Sequence, residues 1–152
     1  MIRPATSEDA EAIALLMREL YREEGVRAET QADEIARALF GEKRSVQLAA
    51  FVAQVEGEVV AALLYYPGYD TLSAIEGYHL ADIIVTKNFR RRGIGKALLL
   101  ALAQRSLAEG KTWLSLTVLS NNDTARAFYQ SLGMQQAAVD FLALGKTGLA
   151  NL

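Results

Sequence analysis

Cysteine is absent from the 152 residues, and histidine occurs once, at position 79. Without a thiol there is no disulfide framework, no thiolate metal site and no cysteine nucleophile, and one imidazole leaves little for a metal cluster. A zinc enzyme or a Ser-His-Asp hydrolase is disfavoured on that ground, and no bound metal is expected. Proline is scarce, with Pro4 and Pro67 the only two, and no Pro-, Gly- or Ser-rich tract or internal repeat divides the chain. Neither sign of charge dominates: 16 Lys and Arg stand against 18 Asp and Glu, a net charge of -2. A nucleic-acid partner held on a basic face therefore has no compositional support. No apolar run reaches the roughly eighteen residues of a membrane span. The opening MIRPATSEDAEAIALL carries acidic residues where a signal peptide needs a basic region. The expectation is a soluble, cytoplasmic protein with neither nucleic acid nor membrane as partner.

Hydrophobic residues make up 51% of the chain, enough to exclude disorder and to fill one core. A single domain over residues 1–152, with a loose tail at 147–152, is the expected organisation. After a short extended start at Ile2 to Pro4, Thr6 or Ser7 can cap a helix. Its apolar positions Ile13, Leu16, Met17, Leu20 and Tyr21 keep helical spacing until Gly25. A second helix is expected from about Thr30 to Gly41. The stretch QLAAFVAQVEGEVVAALLYYPGYD has two apolar runs around Glu56-Gly57, the signal of an antiparallel hairpin. Its second strand should stop at the Pro67-Gly68 turn.

Tyr78 to Val85 reads as a further strand, followed from Gly93 by a helix with Ile94, Ala97, Leu98, Ala101 and Leu102 on one face. Trp113 to Leu119 alternates like a strand. Asn121, Asn122 and Asp123 then supply caps for a helix that Gly133 ends, and Gln135 to Lys146 is expected to form one or two closing strands. This order predicts a mixed α/β sheet with a β-α-β crossover from Tyr78 to Leu119.

Chemistry concentrates in IIVTKNFRRRGIGK, residues 83 to 96, where a strand empties into a glycine-containing turn that opens a helix. Such a turn presents unpaired N–H groups at the positive end of a helix dipole, and Gly93 and Gly95 let an anion approach the backbone. Arg90, Arg91, Arg92 and Lys96 surround it with cations, at least one of which must merely face water. Neither a Walker loop nor a complete G-x-G-x-x-G is present, so a phosphate ligand of another kind is wanted.

Arg90, Gly93 and Gly95 form R-x-x-G-x-G, which resembles the acyl-CoA pyrophosphate signature of the Gcn5-related N-acetyltransferases (GNAT). Asn122, Ala125, Phe128, Tyr129 and Gly133 spell N-x-x-A-x-x-F-Y-x-x-x-G, similar to that family's second motif. The opening IRPATSEDA extends the likeness over nearly the whole chain. The resemblance implies a mostly antiparallel mixed sheet with a splayed, parallel central strand pair and helices on both faces. It implies acetyl-CoA as co-substrate: Ile83, Ile84 and Val85 would bond pantetheine, Arg90 to Lys96, including Ile94, would hold pyrophosphate, and Asn122 and Ala125 would contribute to the cofactor site. A homodimer is also implied.

In the resemblance Tyr129 protonates the departing thiolate, although packing beside Ala125, Phe128 and Leu132 accounts for it equally. Asn122 likewise has a plain role as helix cap. ELYREEGV, YYPGYD and YHLADIIV add a likeness to the diamine acetyltransferase type, but Ala81 occupies the position where a basic Glu would be expected. Three readings stay open there: Asp82 as base or substrate carboxylate, His79 acting through water, and an ordinary edge-strand polar residue. A regular strand points Asp82 away from Ala81, and a bulge would change that. Glu23, Glu24, Tyr66 and Asp82, with Tyr65, Tyr69 and Asp70 nearby, could line an acidic, aromatic cleft for a small cationic amine. The function expected is transfer of an acetyl group to a primary amine, polyamine-like or otherwise. The alternatives are a protein, amino-acid or antibiotic amine as acceptor, or a non-catalytic acyl-CoA-binding regulatory module.

Overall fold

The computed structural model describes residues 1–26, 29–41 and 47–150, apart from the side chains at 29, 30 and 148. Asn151 and Leu152, the end of the expected tail, lie outside the described residues. Two compact units make up the fold, Met1–Thr117 and Val118–Leu152.

The first unit is built on a five-stranded sheet in the order β1 (Ile2–Pro4), β2 (Ala49–Val55), β3 (Glu58–Asp70), β4 (Ile75–Val85) and β5 (Trp113–Leu116). The first three pairings are antiparallel and β4–β5 is parallel. Helix α1 (Ala10–Glu23) follows a short 3-10 turn whose entry Thr6 and Asp9 fix, the Thr6 N–H donating to Asp9 Oδ2 at 2.8 Å. Arg3 holds the same buried carboxylate with two bonds of 2.7 and 2.8 Å and lowers its pKa. The apolar stripe of α1 buries Ile13, Leu16 and Met17, and α2 (Glu29–Phe40) adds Ala32 and Leu39, over Ala50, Val52, Ala62, Leu64 and Ile84 of the sheet. The alternate strand residues Phe51, Leu63, Tyr65 and Leu80 face α3 (Ile94–Ala108), where Leu98 and Leu102 are buried and Arg105 lies over the Tyr65 ring. Helices therefore cover both faces.

Two expectations about strand limits fail. The third strand does not stop at Pro67-Gly68: β3 runs on to Asp70, with Pro67 opposite Tyr78 and Gly68 opposite Gly77. Beyond Tyr65 it has no β2 partner, so this end is a free edge where a residue lacking an N–H is tolerated. The fifth strand ends at Leu116 rather than Leu119, where its pairing with β4 ends, and the parallel pair lies at one end of the described sheet rather than at its centre.

The second unit contains α4 (Asp123–Ser131) and a final turn, α5 (Lys146–Leu149). The closing strands expected over Gln135 to Lys146 are absent among the described residues. Val139, Phe141 and Leu142 are 80, 82 and 89% exposed, because alternation alone does not make a strand without a neighbour to pair with. No described helix is long and apolar enough to cross a membrane.

Candidate acyl-CoA and acceptor site

Strands β4 and β5 pair over four residues, from Gly77 opposite Trp113 to Leu80 opposite Leu116, where β5 ends. The close start of the pair needs glycine: a Cβ on Gly77 would lie 2.1 Å from the Trp113 carbonyl oxygen. From Ala81 to Val85, β4 retains β3 alone as neighbour, so its other edge carries backbone groups without ladder partners. Ile83, Ile84 and Val85, which the resemblance implies as backbone partners of pantetheine, lie on this edge. Next to the last β4–β5 pair, the β3–β4 register slips, with Leu64 opposite Asp82 and Tyr65 opposite Leu80, leaving Ala81 as the extra residue of a bulge.

The bulge aims Asp82. Directly opposed residues share a face, so Asp82 points to the α1 side with Leu64 and Ile84, and Ala81 packs against the same apolar cluster. Burial, and next the nearby Glu24, raise the Asp82 pKa. Glu24 is raised by burial and by Glu23, and the Tyr21 phenol by burial, Asp82 and Glu24. The C-terminal end of α1 brings Tyr21 against the apolar cluster that Ala81 also touches, with the exposed Glu24 close enough for its charge to act on Asp82. Sequence reasoning placed Tyr21 only in the core stripe, although its i, i+3 relation to Glu24 was the available signal.

Below the bulge, His79 packs its ring on Tyr66 at 5.0 Å between centroids, and its Nδ1 lies 2.8 Å from Ser115 Oγ on β5. Burial lowers its pKa, which favours the neutral imidazole. Asp70 caps its own turn, accepting from the Leu72 N–H at 3.2 Å, and Tyr69 is exposed.

After β4 the chain makes a 3-10 turn at Lys87–Phe89 and enters α3 through two left-handed residues, Arg91 at φ 62° and Gly93 at φ 78°. Gly93 is the N-cap, and the first α-helical bond runs from Ala97 N–H to Gly93 O at 2.9 Å. The N–H groups of Ile94, Gly95 and Lys96 precede it and belong to the orphan donors of the helix start. Nothing lies within 4 Å of where a Cβ on Gly93 would project. Arg91 and Lys96 are exposed, and the Arg92 guanidinium sits 5.1 Å from the Phe89 ring centre. Arg90 is turned another way. Its Nε donates to Val85 O at 2.7 Å and its Nη2 to both carboxylate oxygens of Glu23, at 2.7 and 2.8 Å.

Residues 13–134 match the model of the acetyltransferase (GNAT) family. The chain belongs to the GNAT family. Among curated GNAT relatives, thialysine N-epsilon-acetyltransferase of Bos taurus is 34% identical over 143 residues, covering 89% of this chain and 84% of that protein. L-ornithine N5-acetyltransferase of Arabidopsis thaliana is 32% identical over 87 residues, 56% of this chain and 38% of the plant protein. The fold matches that of ribosomal-protein-alanine N-acetyltransferase from Brucella melitensis biovar Abortus 2308, with a TM-score of 0.79 at 21% identity over 95% of this chain and 99% of that one.

The second motif of this GNAT chain lies in the second unit. Asn122 caps α4, its Oδ1 accepting from the Ala125 N–H at 3.0 Å, and Ala125 is half-buried. Tyr129 is buried on the same helix with the Phe128 ring 5.2 Å away. In the first unit, the charge of Glu24 acts on Asp82, Tyr66 lies beside His79, and Glu23 is paired with Arg90. That pair joins residues 67 positions apart, which no local pattern reveals.

Proposed function

We propose that the protein catalyses direct transfer of an acetyl group from acetyl-CoA to the primary amine of a small cationic acceptor. The observation that carries this reading is the unpaired edge of β4 from Ala81 to Val85, running into the left-handed turn at the start of α3. These residues fit the co-substrate: an extended amide-bearing arm finds strand-like partners along Ile83 to Val85, where the Val85 carbonyl oxygen also accepts from Arg90 Nε. Its phosphates find the N–H groups from Arg91 to Lys96, with the side chains of Arg91, Arg92 and Lys96 close by in the sequence. When bound, acetyl-CoA supplies an acetyl thioester for attack by an amine nitrogen.

Asp82 and Glu24 attract the acceptor's ammonium group, and Tyr66 offers an aromatic face to it. The raised pKa of Asp82 makes it a better proton acceptor than an ordinary carboxylate, so it takes the ammonium proton, directly or through water, before the nitrogen attacks. The Tyr129 phenol gives a proton to the leaving sulfur, and Asn122 and Ala125 belong to the motif that supports the co-substrate. An acceptor with an aliphatic primary amine agrees with the names of the ornithine and thialysine relatives.

Ala81 at the bulge supports a second reading, an acyl-CoA-binding module without chemistry. Two measurements separate them. Calorimetry with CoA tests the cradle, and acetyl-CoA turnover across diamines, amino acids, an aminoglycoside and a peptide tests the reaction. Turnover led by diamines or basic amino acids is the expected result. Binding without turnover would leave the regulatory module, and no CoA binding would remove both.

A further inference from the structure

Arg90 occupies the first position of the phosphate-type signature, yet its three hydrogen bonds all go elsewhere. Nε closes the loop back onto Val85 O at 2.7 Å, and Nη2 reaches Glu23, the last residue of α1, at 2.7 and 2.8 Å. Neighbouring charges reinforce the pair, with Lys87 Nζ 3.7 Å from Glu23 Oε1 and Arg90 Nη2 3.9 Å from Glu19 Oε1. The Glu23 side chain is 28% exposed and that of Arg90 38%, so both are partly withdrawn from water. An isolated surface ion pair contributes little, but one guanidinium donating to two carboxylate oxygens and a main-chain carbonyl, within a four-charge cluster, is held in a single geometry.

What this geometry joins is informative. One end of it is the loop between β4 and α3. The other is the end of α1, where Glu23 is followed by Glu24, and where Tyr21 packs against the same apolar cluster as Ala81, the bulge residue beside Asp82. We propose that Arg90 is a positioning residue for the amine acceptor, acting through Glu23 to hold the end of α1 over Asp82, and is not a ligand of the co-substrate phosphates. Glu23 is then the counterpart of Arg90 and does not bind substrate. Arginine suits this task better than lysine because only a guanidinium can serve the carbonyl and the carboxylate together in a plane.

The inference rests on the acetyltransferase reading for its kinetic consequence, but not for its structural one. Arg90→Met and Glu23→Gln are each compared with wild type. Amide hydrogen exchange over Tyr21 to Val26, measured without ligand, should accelerate to the same extent in both variants. The apparent KM for the best amine should rise on the order of fivefold in each, while the Kd for CoA by calorimetry changes less than twofold. The double variant should be no worse than either single one, because the two changes remove the same interaction. Exchanging the charges, Glu23→Arg with Arg90→Glu, should recover part of the protection.

Unchanged hydrogen exchange in both single variants would overturn the proposal even if the protein proved to have no acetyltransferase activity. So would a tenfold loss of CoA affinity in Arg90→Met that Glu23→Gln does not share, because Arg90 would then be a phosphate ligand. Additive effects in the double variant would also count against it. If wild type neither binds CoA nor acetylates amines, the functional reading fails, and the exchange data still decide whether the contact orders α1.

Discussion

From Gly77 to Leu80, strand β4 is hydrogen-bonded to β3 on one side and β5 on the other, whereas from Ala81 to Val85 it has β3 alone. The first half is scaffold. It packs Gly77 against Trp113 and anchors Tyr78 to Glu109 near the end of α3, a carboxylate that Arg105 and Lys111 also hold. The second half begins with a bulge, turns Asp82 towards α1, and keeps main-chain groups available. The same strand therefore stores rigidity in one segment and unspent hydrogen-bonding capacity in the next. The contrast suggests that substitutions in the open half and the turn beyond it should change binding and rate, while those in the paired half should change stability.

The strongest way to break that contrast is Gly93→Asp. Gly93 sits at φ 78° with open space beyond it, so the new side chain meets no steric obstacle, only backbone strain and a like charge facing phosphate. A loss of CoA affinity of about 4 kcal/mol, on the order of 10³-fold, is expected by calorimetry. Gly93→Asn separates the causes, because Asn tolerates left-handed backbone and adds no charge. It should lose far less.

Tyr129→Phe should leave the fold and CoA binding intact and lower kcat by about 10²-fold, the range for loss of one acid group. Phenylalanine keeps the packing beside Phe128 and removes only the hydroxyl. A kcat equal to that of wild type would return Tyr129 to core packing.

Asp82→Asn should reduce kcat/KM by about tenfold or more above the Asp82 pKa and flatten the rise of kcat/KM with pH. Stability moves the other way. Burial and then Glu24 raise the Asp82 pKa in the folded state, so the native chain holds this proton more tightly than the unfolded chain does. Stability therefore falls as pH climbs from the ordinary carboxylate range through the raised value. The amide removes that cost, and the variant should melt at or above the wild-type temperature at neutral pH, with the advantage shrinking in acid. Lower activity together with lower stability would contradict the assignment of Asp82 to the working half.

The smallest effect should come from the paired half. Its anchor, Glu109, has its pKa lowered to about 2, first by the Tyr78 hydrogen bond and next by that of Lys111. A depressed carboxylate contributes stability above its unfolded value and loses it as pH falls towards the folded one. Acid melts should show a decline between the usual carboxylate range and about pH 2 that Glu109→Gln weakens, with kcat little changed. A large effect on kcat would mean that the scaffold and the site are not separable.

The parts legible in the sequence are those written locally. Helical spacing in α1, the Glu56-Gly57 hairpin and the glycines opening α3 depend on neighbours a few residues away, and all three appear where expected. Pro67 misled because its effect depends on whether β2 reaches that far, which is a property of another strand. The bulge at Ala81 was conceivable but could not be located, since it arises from how β4 registers against β3. Glu23 looked like a substrate carboxylate until its partner on the far side of the sequence came into view. Gln135 to Lys146 shows the opposite error, one or two closing strands expected and none realised among the described residues.

Trp113 is the only indole in the chain, and its ring lies 3.1 Å from the point where a Cβ on Gly68 would sit, at the first rung of the β4–β5 pairing opposite Gly77. Nature has thereby built an optical gauge into the molecule. Emission excited at the red edge of the protein band has a single source, placed where a loosening of the paired ends of β3, β4 and β5 would alter its surroundings. Wavelength shift and collisional quenching could then follow the loosening of that paired end during a titration, with no dye attached and no residue replaced.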